Sequence, residues 1–359
     1  MPMKQPLSKR KKAKNFRSLQ VKENLIDFSS NDYLGLARSS HLKQAILSEW
    51  NSINYLGSTG SRLLTGNSMY IEDLEAKIAR FHGFESGLIF NCGYMANIGL
   101  ISTIATEEDT ILFDSHIHAS MREGIRLSKA KAFPFRHNDQ AHLERRLQQT
   151  AQQGNTYICI ESIYSTDGSV APLHEIFSLS LKYPSRLIVD EAHAVGIFGD
   201  QGQGLVYEGC LNGKIFAQII TFGKALGVFG AIILGNNHLK KSLINFAKSF
   251  IYTTALSFPS LAAIKCSYEL FPKLETERIH LRSLTQLANY SHTPIQPIPV
   301  ANNQAAHKLV SALNQEGFDI RALLSPTVQQ GKEIIRLTLH AFNSKEELLD
   351  LLELVRKYG

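Results

Sequence analysis

The sequence predicts an α/β fold: a large domain built on a mostly parallel sheet, with a smaller α+β domain after it. Three observations carry the prediction. Arg186-Leu-Ile-Val-Asp190-Glu-Ala-His193 is a short apolar run that ends in an acid, with a histidine three residues on. Ile219-Ile220-Thr221-Phe222 is a second apolar run, and it ends in Gly223-Lys224. Runs of this length rich in β-branched residues read as buried strands of a parallel sheet. From about Leu239 the pattern becomes mostly helical with a few strands mixed in, which marks the smaller domain. Open α/β sheets place ligands at the carboxyl ends of their strands. An acid, an imidazole and an amine are thereby delivered to one rim. That set suits a cofactor that needs an anion at one end and a primary amine for covalent attachment.

The 359 residues leave room for two such domains. No apolar run approaches the length of a membrane span, so no membrane partner is expected. The basic N-terminus lacks the apolar core of a signal peptide, and the expectation is a cytoplasmic protein. Cys92, Cys159, Cys210 and Cys266 form no CxxC pair, which argues against structural zinc and a disulfide framework. Part of the net charge of +6 sits in Lys9-Arg10-Lys11-Lys12-Ala13-Lys14. No aromatic interleaving or nucleic-acid motif accompanies it, so it reads as a solvated helical lead and no nucleic-acid partner is expected. The positive excess can still attract an acidic substrate or carrier.

Along the chain, residues 26–35 read as a short strand running into a polar turn, Ser29-Ser30-Asn31-Asp32. Turn chemistry alone would explain that turn; side chains facing a ligand would use the same residues. Residues 57–66 are glycine-rich without GxGxxG spacing, a loop whose backbone approaches a ligand or a second subunit. The helix after it carries Ile71, Leu74, Ile78 and Phe81 on one face and stops at Gly83. Gly87-Leu-Ile-Phe90 is a buried strand, and Asn91-Cys92-Gly93-Tyr94 turns from it into a helix expected near Met95. Such a helix start offers unpaired N–H groups to a phosphate, although an ordinary strand-to-helix turn has the same look. The strand at 110–113 runs into Asp114-Ser-His116-Ile-His118, where histidines suit either metal ligation with Asp190 and His193 or stacking on a ring. Residues 132–135 and 156–160 are further strands and 141–153 a helix; Glu161 to Ser165 again gathers polar groups at a strand end. Pro172 starts a helix to about 183. Gly196, Gly199, Gly202 and Gly204 make a flexible loop. The run at 231–234 pairs with the one before Lys224, in a hairpin-like turn that holds the lysine at the sheet edge. Beyond it come a helix started near Pro259, strands at 294–300 and 334–339, and helices at 305–317 and 344–358.

Ser30-Asn-Asp-Tyr-Leu-Gly-Leu36, the loop 57–66, Ile117-His-Ala-Ser120, Asp167-Gly-Ser-Val-Ala-Pro172, Val189-Asp-Glu-Ala-His193 and Thr221-Phe-Gly-Lys224 resemble the α-oxoamine synthases, in the family's order over roughly residues 15 to 355. These are pyridoxal 5'-phosphate enzymes of the aspartate-aminotransferase fold, fold type I. The resemblance implies a domain layout of 1–45 as an N-terminal segment packing with the small domain, 46–265 as the large cofactor-binding domain and 266–359 as the small one. It implies that Lys224 holds the cofactor covalently and moves the substrate α-proton. Asp190 would pair with the ring nitrogen, keeping it cationic and electron-accepting. His193 would bond the ring hydroxyl, with Ser165 nearby, and His118 would stack on the ring face. Gly93, Tyr94 and Thr221 would bind the phosphate, and Thr254 would reach it from the partner of a homodimer. Asn31 and Arg336 would hold the amino-acid carboxylate, and Arg17 and Thr327 match positions that touch substrate.

Within the family the chain is most similar to the biotin-pathway member, which joins L-alanine to a pimeloyl thioester carried on coenzyme A or acyl carrier protein and releases carbon dioxide. Ile71 stands where the family usually has a histidine, and Leu324 where it often has an arginine. Both departures bear on the acyl-chain end. The rival readings are a glycine- or serine-using synthase of the same family, a metal-dependent hydrolase built on His116, His118, Asp190 and His193, and a non-catalytic descendant.

Overall fold

The computed structural model describes residues 7–12, 16, 19, 21, 23–52, 55–150, 154–325 and 328–359. In chain order the elements are α1 (Leu7–Lys12), β1 (Ile26–Asp27), α2 (Ser40–Asn51), α3 (Met69–Phe81), β2 (Ser86–Phe90), α4 (Gly93–Ile104), β3 (Thr110–Asp114), α5 (Ala119–Ser128), β4 (Lys131–Phe135) and α6 (Gln140–Thr150). They continue with β5 (Thr156–Glu161), α7 (Leu173–Lys182), β6 (Arg186–Asp190), α8 (Leu205–Glu208), β7 (Ala217–Thr221), β8 (Ala231–Gly235), α9 (Asn237–Phe246), α10 (Lys248–Ile251) and α11 (Phe258–Leu270). The last are α12 (Glu275–Ala288), β9 (Ile295–Pro299), α13 (Asn303–Gln315), β10 (Phe318–Asp319), β11 (Arg321–Leu323), β12 (Ile334–Thr338) and α14 (Lys345–Tyr358).

The larger of two units comprises Leu34–Ser165 and Val170–Arg278. Its seven-stranded sheet has the order β2-β8-β7-β6-β5-β3-β4. From β4 to β7 every neighbouring pair is parallel. β8 is antiparallel to both β7 and β2, so β2 points the same way as β7 and only β8 runs against the rest. The carboxyl ends of the other strands therefore share one rim. Residues along β2, β5 and β8 are buried at every position, so apolar side chains are covered on both faces. Helices start where the sequence supplies caps: the side chain of Ser68 accepts the Ile71 N–H before α3, and that of Ser257 accepts the Ser260 N–H before α11.

Two expectations need correction. β7 and β8 do form a hairpin, but β7 lies inside the sheet between β8 and β6. Lys224 thus follows the end of an interior strand, not an edge; pairing is legible in two apolar runs, strand order is not. α4 begins at Gly93 rather than Met95, because Cys92 is extended at φ −160° and the helical turn closes directly after it.

The smaller unit comprises the described residues up to Tyr33 together with Thr166–Ser169 and Ile279–Gly359. It holds an antiparallel sheet of order β11-β12-β9 and a parallel ladder between β1 and β10. Its closing helix α14 is set by a capping box between Ser344 and Glu347. Among the described residues no helix is long and apolar enough to cross a membrane.

Candidate active site

Glu161, Asp190 and Thr221 end β5, β6 and β7, and the register puts Glu161 beside Asp190 and Asp190 beside Ile219. Asp190 is 4% exposed. Its Oδ1 accepts the Ala192 N–H at 2.9 Å, and its Oδ2 accepts from Asn97 Nδ2 at 2.8 Å. The same Asn97 nitrogen donates to Ser120 Oγ at 3.0 Å, and that hydroxyl lies 2.7 Å from His118 Nδ1. The Ser120 N–H also points at His118 Nδ1, so Nδ1 accepts and the ring proton belongs on Nε2. A carboxylate from β6, an amide from α4 and an imidazole capping α5 are thus one connected network.

His118 is further anchored by its own N–H, which donates to Glu161 Oε1 at 2.5 Å. Burial holds the His118 imidazole below its ordinary pKa; the charge of Asp190 opposes this and that of Lys224 adds to it. Burial first, then the neighbouring Asp190, push the Glu161 carboxyl up to about 8, against the pull of Lys224 and of the His118 and Ser165 N–H groups. His118 and Glu161 each feel both Asp190 and Lys224. The strand-end acid and the lysine therefore act on one small region of the rim.

Lys224 Nζ lies 2.7 Å from His193 Nε2. The lysine is placed by a folded loop: the Phe222 N–H donates to Gly230 O, that of Val228 to Phe222 O and that of Gly227 to Lys224 O. Gly227 has φ 67°, and a side chain there would run into the Leu36–Ala37 backbone.

At the same rim α4 opens without a side-chain cap, which leaves its first N–H groups to a ligand. Thr221 Oγ1 is buried with no hydrogen-bond partner among the described residues. A Cβ on Gly93 would overlap the Thr221 methyl, so the glycine lets the helix start press against the end of β7. Tyr94 meets His118 edge-on, with ring centroids 6.5 Å apart. Thr254 is exposed; its carbonyl accepts from Asn91 Nδ2 at 3.1 Å, and it bridges to Ser61 in the glycine-rich loop.

In the smaller unit Arg336 Nη2 donates to Asn31 Oδ1 at 3.1 Å and Nη1 to Thr338 Oγ1 at 2.7 Å. The buried Tyr33 hydroxyl donates to the same Asn31 oxygen at 3.3 Å. The two residues expected to hold a carboxylate are therefore brought together. Arg17 and Thr327 lie outside the described residues.

The four residues of the metal reading have other engagements. His116 stacks on His137 at 4.0 Å, His118 Nδ1 faces Ser120, Asp190 takes the Asn97 amide and His193 faces Lys224. Sequence reasoning missed Asn97 and Ser120. The available signal was a lone amide in the otherwise apolar stretch Met95-Ala-Asn97-Ile-Gly-Leu100.

The chain matches the model of the family described as aminotransferase class I and II over residues 23–355. It is 41% identical to the 8-amino-7-oxononanoate synthase of Emericella nidulans over 363 residues, covering 92% of this chain and 88% of that protein. Among solved structures it superimposes on the 8-amino-7-oxononanoate synthase of Francisella tularensis with a TM-score of 0.78 at 27% identity, covering 94% of this chain and 98% of that one. It superimposes on the serine palmitoyltransferase of Sphingomonas wittichii with a TM-score of 0.87 at 26% identity, covering 93% and 87%.

Proposed function

The chain belongs to the aminotransferase class I and II family and, within it, to the α-oxoamine synthases, and we propose that it is an 8-amino-7-oxononanoate synthase of fold type I, condensing L-alanine with a pimeloyl thioester and releasing carbon dioxide and the thiol. The observation that carries the reading is the rim itself. An amine on Lys224 meets the His193 imidazole, while a buried carboxylate on Asp190 is held by Asn97.

Pyridoxal 5'-phosphate fits the residues present. The uncapped start of α4, the unpartnered Thr221 hydroxyl and the absence of a Cβ at Gly93 make a cradle for its phosphate. When bound, the cofactor supplies an electron-accepting ring that stabilises negative charge on the amino-acid α-carbon. Lys224 Nζ would hold it covalently and would move the substrate α-proton. Asp190 would pair with the ring nitrogen, and the Asn97 amide and the Ala192 N–H fix the orientation of its carboxylate. His193 would bond the ring hydroxyl, with Ser165 nearby, and His118 would stack on the ring face. The backbone at Gly93 and Tyr94, with the Thr221 hydroxyl, would bind the phosphate. Asn31 and Arg336 hold the substrate carboxylate; Arg17 and Thr327 are carried over as substrate contacts by resemblance alone.

A homodimer is part of this reading. Leu63, Leu64, Tyr94, Met95 and Tyr252 are exposed large apolar side chains on segments tied together by the Asn91–Thr254, Ser249–Met95 and Ser61–Thr254 contacts. Apolar surface of this kind marks a contact face, here for a second copy whose Thr254 completes the phosphate site. The alanine assignment is supported by the 41% identity to a protein named 8-amino-7-oxononanoate synthase over 92% of this chain.

The test is a titration of the purified holoprotein. L-Alanine should change the cofactor absorbance saturably, and pimeloyl thioester should then release carbon dioxide and free thiol. Separate arms with coenzyme A and acyl carrier protein identify the carrier. A response to glycine or L-serine but not to L-alanine would reassign the amino acid.

A further inference from the structure

The smaller unit carries a clasp that the preceding mechanism does not use. After β12 the chain turns through His340-Ala-Phe342-Asn343, and His340 is 0% exposed. Asn343 Nδ2 donates to Asp27 O at 3.1 Å, and its Oδ1 accepts the His340 main-chain N–H at 3.0 Å, so both ends of the amide are assigned. The same Oδ1 lies 2.9 Å from His340 Nδ1, which must therefore carry the ring proton. His340 Nε2 lies 3.1 Å from the Ser30 hydroxyl and 3.1 Å from the Ser30 carbonyl. Burial favours the neutral ring, against the opposing pull of Asp27 and of the Ser30 and Asn343 bonds. In that state Nε2 can accept only from the Ser30 hydroxyl, and the Ser30 carbonyl lies beside it without a bond. Phe342 stacks on the imidazole at 4.6 Å and fixes its plane. Main-chain bonds from Thr338 to Phe28 and from Ala341 to Tyr33 lay the same two stretches side by side.

We propose that His340 is a positioning residue of the amino-acid carboxylate site: by tying Ser30 to Asn343 it fixes the adjacent Asn31 amide against Arg336. The inference rests on the assignment of Asn31 and Arg336 to that carboxylate. A guanidinium presents its donors in a rigid plane. Asn31 and Thr338 each take one of its terminal nitrogens and so set that plane. Without the clasp, the turn before Asn31 loosens and the plane rotates. Carboxylate binding weakens, while the chemistry that follows binding is unaffected.

The experiment is steady-state kinetics on the holoenzyme. His340→Phe keeps a ring against Phe342 but removes both nitrogens; Ser30→Ala removes only the hydroxyl. Loss of one or two hydrogen bonds should raise the KM for L-alanine roughly 10-fold in the Phe variant and roughly 5-fold in the Ala variant. kcat and the thioester KM should stay within about twofold, the pattern of lost binding rather than lost transition-state stabilisation. His340→Gln, with an amide near Nε2, should recover part of the effect. Nitrogen-15 spectra of wild-type imidazoles should show His340 protonated at Nδ1. An unchanged alanine KM in folded variants, a matching fall in kcat, or a ring protonated only at Nε2 would overturn the proposal. Wild type that never responds to L-alanine would instead overturn the functional reading, and this inference with it.

Discussion

Asn97 uses both hydrogens of one amide nitrogen, one on Asp190 and one on Ser120. Nothing in the sequence assigns it that role, because an amide in an apolar helix can pair with any polar group the fold brings near. Asp190, His193 and Lys224 were legible for the opposite reason. Each follows an apolar run, and the end of a buried strand is a place where a polar side chain meets a ligand. His82 shows how much a buried polar residue can hold without chemistry. Its Nδ1 lies 3.0 Å from Gln203 O and its Nε2 3.1 Å from the Tyr268 hydroxyl, so the neutral ring satisfies both partners. Burial pushes its pKa down to about 3 from 6.5, only partly opposed by the Gln203 carbonyl. The folded value is the lower one. Its stability is therefore fully present above the unfolded value of 6.5 and is lost as pH falls towards 3. That loss runs at about 1.4 kcal/mol per pH unit. Urea unfolding between about pH 7 and pH 4 should show this slope in wild type and a flatter one in His82→Gln. Parallel curves would remove His82 from the acid response.

In the proposed function, the start of α4 is the element that would seat the cofactor phosphate. The expectation of a phosphate seat rests on the unpaired N–H groups of a helix start after a strand, which an ordinary strand-to-helix turn shares. The structure adds why Gly93 is needed: the neighbour is the Thr221 methyl, from a strand more than a hundred residues on. No reading of 87–95 alone could supply that. Gly93→Ala should weaken cofactor binding by about 1–3 kcal/mol through overpacking. Thr221→Ser keeps the hydroxyl and removes the methyl, so the double variant should recover most of the loss. Fluorescence titration of the cofactor measures both; a double variant as weak as Gly93→Ala would show that the methyl is not the obstacle. At this scale β10 and β11 escaped sequence reading, since two or three residues carry no period. α2 and α5 went unassigned as well, although Ser39 and His118 cap them.

Across the molecule, the alternation of buried strands and helices announced an α/β sheet, and the mixed pattern after Leu239 announced a second kind of architecture. Strand order was out of reach, because pairing partners separated by whole helices leave no local trace. Asn31 and Arg336, 305 residues apart, share a hydrogen bond within the same unit. The central claim is that Lys224 and Asp190 serve one cofactor ring. Borohydride reduction of the holoprotein followed by peptide mass mapping tests it most directly. The account predicts the cofactor mass on the peptide that contains Lys224, lost in folded Lys224→Ala and retained in Asp190→Ala with weaker cofactor affinity. Label on another lysine, or none in wild type, would contradict it.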